Sequence, residues 1–214
     1  MKHLLYFAIL LQIAFASCNK SSDPSPSSSA TSTTTTSGTS TNPTSSATYY
    51  LVFYDGTNAV KFEESINGIY NGADSYSGNN NYDYFGGIFT TLVNYSPIFQ
   101  AGIHYGNKYG ISGPTAGLQY YNSFTTGSNT FGHAATTTPG FIINYKDSNN
   151  VQWLTDQSTG NQTGSAINIT SISAYSNLSI TYNVQGTFNC NVYDTNGNKK
   201  TLTNGKFLTM FSLQ

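Results

Sequence analysis

Two cysteines, three histidines and nine carboxylates carry most of the chemistry available to this 214-residue chain, which has eight lysines and no arginine. Acid/base, nucleophilic and metal catalysis need such groups in clusters, so their spacing is the first test. His3 lies in the short polar start of the expected signal peptide, which leaves His104 and His133, neither placed in an HExxH or CxxC pattern that would hold a metal. In PIFQAGIHY, His104 shares a strand face with Gln100 and Gly102, opposite Phe99, Ala101, Ile103 and Tyr105, which predicts an exposed strand histidine. His133 sits in FGHAATTT with no acid or cysteine beside it in sequence. A hydrolase built on either histidine needs an Asp to join it in one cleft.

The remaining catalytic patterns are equally thin. GxSxG is absent, and the one SxxK, Ser17 to Lys20, straddles the expected cleavage point. Glu63 and Glu64 are adjacent, so a strand sends them to opposite faces. Asp74 and Asp83 fall in or beside a polar loop, and no spacing selects a glycosidase pair. NNNYD (79–83) and DTNGN (194–198) place oxygen ligands at positions one, three and five of a calcium loop, but both lack the sixth-position glycine; Asn-Gly turn chemistry accounts for DTNGN better. The expectation is a protein that is not an enzyme and has no cofactor or metal.

Cys18 is best explained by what precedes it. Lys2 and His3 open the chain, LLYFAILLQIAF (4–15) is apolar except for Gln12, and Ala16 and Ser17 are small. Twelve apolar residues are too few to cross a bilayer, which takes about 20 in a helix, and suit the hydrophobic region of a secretory signal. Residues 15–20, FASCNK, resemble the lipobox of bacterial lipoproteins, in the spelling common among those of the Bacteroidota. The resemblance implies cleavage after residue 17, acylation of Cys18, and anchoring in the bacterial envelope, at the outer membrane on either its periplasmic or its surface face. Several acyl chains together hold a protein on a membrane where one holds it only marginally.

Residues 19–48 contain 20 Ser or Thr and three Pro, too little apolar surface to offset the entropy of ordering, and read as a disordered tether. The expected organisation is a signal peptide over 1–17, lipidated Cys18 and linker over 18–48, and a folded domain over 49–214. With 8 % charged residues and net charge −1, the chain has no footprint for a nucleic-acid partner.

The domain must supply its scaffold from strands, since its 17 Tyr, 13 Phe and 20 Gly fit pleated sheets and turns. YYLVFYD (49–55) and TNAVKFEE read as a hairpin about an Asp-Gly turn. Residues 82–93, 97–105, 117–124, 141–146 and 151–156 read as further strands, and Gly- and Asn-rich 67–81 as a surface loop. From Ile180 to Val192, apolar and polar residues alternate and point Cys190 into the core; a return strand carries Phe207, Thr209, Phe211 and Leu213 on one face. The fold class predicted is all-β: an antiparallel β-sandwich of about ten short strands, with a β-barrel as the alternative.

Aromatic surplus is the one functional signal left. Tyr70, Tyr76, Tyr82 and Tyr84 in and near the polar loop, with Tyr120, Tyr121 and Trp153, are the candidate stacking faces for a glycan or envelope polymer; Tyr also fits strands and cores, which explains the same residues without a ligand. The tail GTFNCNVYDTNGNKKTLTNGKF (186–207) resembles the closing hairpin of small Bacteroidota lipoprotein domains of unknown function. That resemblance supports fold and location and transfers no catalytic residue. The expected function is a membrane-anchored binding module, with a purely structural envelope component as the alternative.

Overall fold

The computed structural model describes residues 43–77, 82–94, 96–108, 123, 125–175 and 181–212, which fall in one compact unit, Ser40–Gln214. Eleven strands follow in chain order: β1 (Tyr50–Asp55), β2 (Asn58–Glu63), β3 (Ile69–Ser77), β4 (Tyr82–Val93), β5 (Ser96–Lys108), β6 (Gly127–Asn129), β7 (Gly140–Lys146), β8 (Gln152–Leu154), β9 (Ala166–Ala174), β10 (Thr181–Tyr193) and β11 (Lys199–Ser212). They pair antiparallel into one sheet ordered β2-β1-β11-β10-β8-β7-β5-β4-β3, with β9 on the side of β10 and β6 on β9. The all-β antiparallel expectation holds, with the sheet continuous and curled until it nearly closes into a barrel.

The seam is closed by side chains. Where β11 runs past the start of β1 it meets β3, and the Asn71 amide donates to Thr209 Oγ1 at 2.7 Å while its oxygen accepts from Met210 N at 3.4 Å. Gly87 on β4 permits this approach, because a Cβ there would overlap Thr209 and the Met210 carbonyl. Inside, Leu51, Phe53, Phe85, Phe89, Ile103, Phe141, Ile143, Phe207 and Phe211 are buried. Several rings meet edge to face, as Tyr105 and Phe141 do at 5.2 Å and 83°, the geometry that ring quadrupoles favour.

Local chemistry sets the turns. Asp55 opposes Asn58, so Gly56 and Thr57 form a two-residue loop whose first position takes φ +62°, an easy angle for glycine. In DTNGN, Asp194 Oδ1 accepts from the backbone of Asn196 at 2.9 Å and Asn198 at 2.8 Å, and Gly197 takes φ +82°. The carboxylate of that loop is therefore committed to the turn.

Two expectations change. The stretch 67–81, expected as a surface loop, contains β3, paired with β4 from Ile69 to Ser77; an edge strand needs one partner, and register with long β4 outweighs its weak Gly and Asn propensity. β9, not foreseen, alternates buried Ile167 and Ile169 with exposed Asn168 and Thr170. Ahead of β1, the Thr44 carbonyl accepts from Lys61 Nζ at 2.8 Å. The strand expected over 117–124 lies almost wholly outside the described residues. Cys190 is free and fully buried, as its place in the alternation predicts, but the alternation stops there: Asn191 and Tyr193 are buried too. The loop after β8 covers them, with Gln162 bonded to both Asn191 N and Asn191 O and the Asn161 carbonyl accepting from Tyr193.

Candidate functional site

Both histidines come to carboxylates, on the outer face of β4 and β5. Asp74, Gly86 and His104 are neighbours in one cross-strand row, and with no side chain at Gly86 the imidazole reaches across β4. His104 Nε2 lies 2.8 Å from Asp74 Oδ1. His104 is 2 % exposed, which corrects the expectation of an exposed histidine. The alternation did place it on the face away from the core. Tyr82 shares that face and is fully buried too, its hydroxyl donating to the Thr138 carbonyl at 2.6 Å.

Asp156 joins this layer. Burial pushes its carboxyl above the ordinary range, against the opposing pull of His133, His104 and the Tyr84 hydroxyl. Burial and Asp156 together push Tyr84 up to about 12. His133 packs its ring on Gly160, whose φ is +56°, and both ring nitrogens are buried with no hydrogen-bond partner among the described residues. The layer thus gathers two imidazoles, two carboxylates and two phenols, with His104 and Tyr82 buried and the Asp74 side chain 34 % exposed. Among the described residues no three His, Cys, Asp or Glu are arranged to hold a metal ion.

The open site lies at the barrel mouth. A cleft of about 610 Å³ runs between β2, the start of β5 and the β7–β8 hairpin, lined by Lys146 and the uncharged polar Asn58, Gln100 and Asn149, together with Phe62 and Tyr145. Its charged centre comes from three strand ends. Asp55 closes β1, Asp147 follows β7 and Lys200 opens β11, so the sheet order brings together residues 145 positions apart. Lys200 Nζ donates to Asp55 Oδ2 at 2.8 Å and Asp147 Oδ2 at 3.4 Å, and lies 4.1 Å from the centre of the Trp153 ring.

The two carboxylates differ in what they have left to offer. Asp147 accepts from Trp153 Nε1 at 3.0 Å, Asn149 N at 2.9 Å and Val151 N at 3.0 Å besides Lys200. Burial raises its pKa, yet those donors outweigh it and hold the group below the usual carboxylate range. Asp55 Oδ2 also accepts from Tyr145 at 3.2 Å, while its other oxygen has no hydrogen bond among the described residues. Burial, then the neighbouring Asp55, drive the Tyr145 phenol far above its ordinary value.

The aromatic candidates are scattered. Tyr70 and Tyr76 are on β3 and Tyr82 and Tyr84 on β4, so none of the four sits in a loop. Tyr70 is 53 % exposed; Tyr82 is fully buried, with its ring against Tyr84 at 5.0 Å. Only the backbone of Tyr76 is described, opposite Tyr84. Tyr120 and Tyr121 lie outside the described residues. Trp153 is buried, with its nitrogen on Asp147 and Lys200 over its face, so it presents no free surface to a sugar. Cys18 also lies outside the described residues. Of the residues that line the cleft, Asp55, Asp147 and Lys200 read in sequence as turn and strand-end residues; the available signal was that all three flank the tightest turns. Comparison with known protein families, with curated proteins and with solved structures finds no match for the chain.

Proposed function

We propose that the chain is a bacterial envelope lipoprotein, held at the outer membrane through acylated Cys18 and a Ser/Thr-rich tether, and that its β domain is a binding module with the barrel-mouth cleft as its site. The observation that carries the reading is the asymmetry of the two carboxylates. Every lone-pair direction of Asp147 has a donor, so it does not pair with Asp55 as acid and base. Asp55 keeps one oxygen free beside Asn58, Gln100 and Asn149, in a cleft that Phe62 and Tyr145 also line. The Asp55 carboxylate and the Lys146 ammonium offset each other in charge, and with the amides above apolar surface they suit a neutral, polyhydroxylated ligand, a sugar or an envelope polysaccharide.

The alternative, a structural envelope component, draws support from the same ion group, because Lys200 tied to Asp55 and Asp147 also clamps β1, β7 and β11 together. Calorimetric titration of the full chain with neutral envelope oligosaccharides separates the two. Binding lost in Asp55→Asn with unchanged thermal stability supports the module; no heat with any glycan favours the clamp. For the anchor, Cys18→Ser removes lipid label and membrane association, and protease shaving of intact cells assigns the face.

A further inference from the structure

We propose that one corner of the barrel rests on the lipid bilayer, an inference that rests on the membrane-anchored reading above and gives the domain an orientation. Seven large apolar or aromatic side chains are exposed among the described residues, and five of them, Ile66, Tyr70, Leu92, Val93 and Ile98, lie at this corner. Backbone pairing brings together the strand ends that carry them, with Leu92 and Val93 on opposite faces of β4. Ile69 N bonds the Ile66 carbonyl at 3.0 Å, Ile69 opposes Thr91, and Thr91 opposes Ile98, while Tyr70 opposes Thr90 and Leu92 opposes Pro97. Isolated exposed apolar residues are ordinary; a contiguous group on two adjoining tips marks a contact surface.

Two observations choose lipid as the occupant. The segments 65–72 and 90–100 contain no charged residue; Glu63 and Glu64 border the first of them, so the contact is confined to the tips and excludes those two carboxylates. The chain enters the domain on this side: the Thr44 carbonyl accepts from Lys61 Nζ at 2.8 Å, and the Tyr49 carbonyl accepts from Glu64 N at 3.0 Å, two residues from Ile66. About 25 residues separate Cys18 from Pro43, and a chain of that length spans at most roughly 85 Å. An anchored domain is thereby kept within reach of the bilayer, where a contact too weak to recruit the protein alone becomes populated. Gln100 and Phe62 line the cleft close to these tips, so the seated domain holds its cleft beside the headgroups.

The test uses the acylated full chain with vesicles of phosphatidylethanolamine and phosphatidylglycerol. An environment-sensitive thiol dye is placed at Ile66→Cys, at Leu92→Cys, or at Ser128→Cys on β6, which lies five strands from β2; buried Cys190 stays unlabelled. Flotation reports the anchor, and quenching by acyl-chain-brominated lipid reports the corner. The expected result is a blue shift and several-fold quenching at 66 and 92 and none at 128, with Leu92→Asp/Val93→Asp abolishing the quenching at 66 while flotation persists. A chain that floats with all three dyes unquenched overturns the lipid contact, leaves the corner to a protein partner, and leaves the anchor standing. A chain that does not float but is quenched at 66 and 92 in vesicle excess upholds the corner and overturns the anchor; failure of both readouts overturns both.

Discussion

Asp74 and His104 meet at 2.8 Å although a whole strand, β4, separates the strands that carry them. Gly86 makes the meeting possible, since a Cβ there would overlap the Ile103 carbonyl and the His104 Cα. Gly86→Ala should therefore cost about 1–3 kcal/mol through overpacking, and a larger loss than Asp74→Asn, which keeps an oxygen for the ring. Urea denaturation of both variants checks the order. Equal, negligible effects would show that the β3–β4–β5 row tolerates separation.

Asp156 makes a pH-dependent contribution whose sign follows from burial. Its pKa in the fold is raised above the unfolded value, so the folded state binds the proton more tightly. Its contribution to stability is greatest below about pH 4, the unfolded carboxylate value, and declines as pH rises through the folded value. Asp156→Asn should remove that decline. The stability difference between variant and wild type, followed by denaturant titration from pH 3 to 8, should move in favour of the variant as pH rises; a flat difference would place Asp156 in water.

How far the sequence foretold these features depends on whether each is local. The alternation from Val184 to Cys190 carries its own burial pattern, and the strand and its inward cysteine could be read directly. The turns at Gly56 and Asp194 were legible for the same reason. His104 was placed on the correct strand face, but the groups beside it there, Asp74 from β3 and Asp156 after β8, are distant in sequence, and nothing near His104 announces them. The cleft was invisible because Asp55, Asp147 and Lys200 are joined only by the sheet order. β3 was missed because Asn71 and Asp74 look like loop residues until their cross-strand partners are known.

Cys190 offers a count of thiols. Complete burial pushes its pKa far above the ordinary thiol range, and both the thiolate and access for a reagent are denied. The native protein should give no reaction with a thiol-specific chromogen at neutral pH. In denaturant the membrane-extracted protein should show one thiol per chain, because Cys18 is acylated under the proposed function, and the uncleaved, unacylated chain should show two. A native protein that reacts fast would mean that the β10 face of the core opens readily.

Lys200 decides between clamp and ligand site. Its side chain is 27 % exposed, so its two ion pairs are partly screened, and Lys200→Met, which keeps an apolar cover over Trp153, should cost only about 1–2 kcal/mol. The pH signature is more telling. Asp147 has a depressed pKa in the fold, so its contribution is present above the unfolded value of about 4 and is lost as pH falls through the folded value. Removing Lys200 deletes one of the donors that lower it, and the acid-unfolding midpoint of Lys200→Met should move to higher pH. Asp55→Asn still accepts a bond from Lys200, so it should leave that midpoint nearly in place while weakening any neutral polyhydroxylated ligand about tenfold, the effect of losing one charged acceptor of about 1.4 kcal/mol. If both variants shift the midpoint equally and neither changes binding, the ion group is a clamp, and the ligand site must be sought away from the barrel mouth.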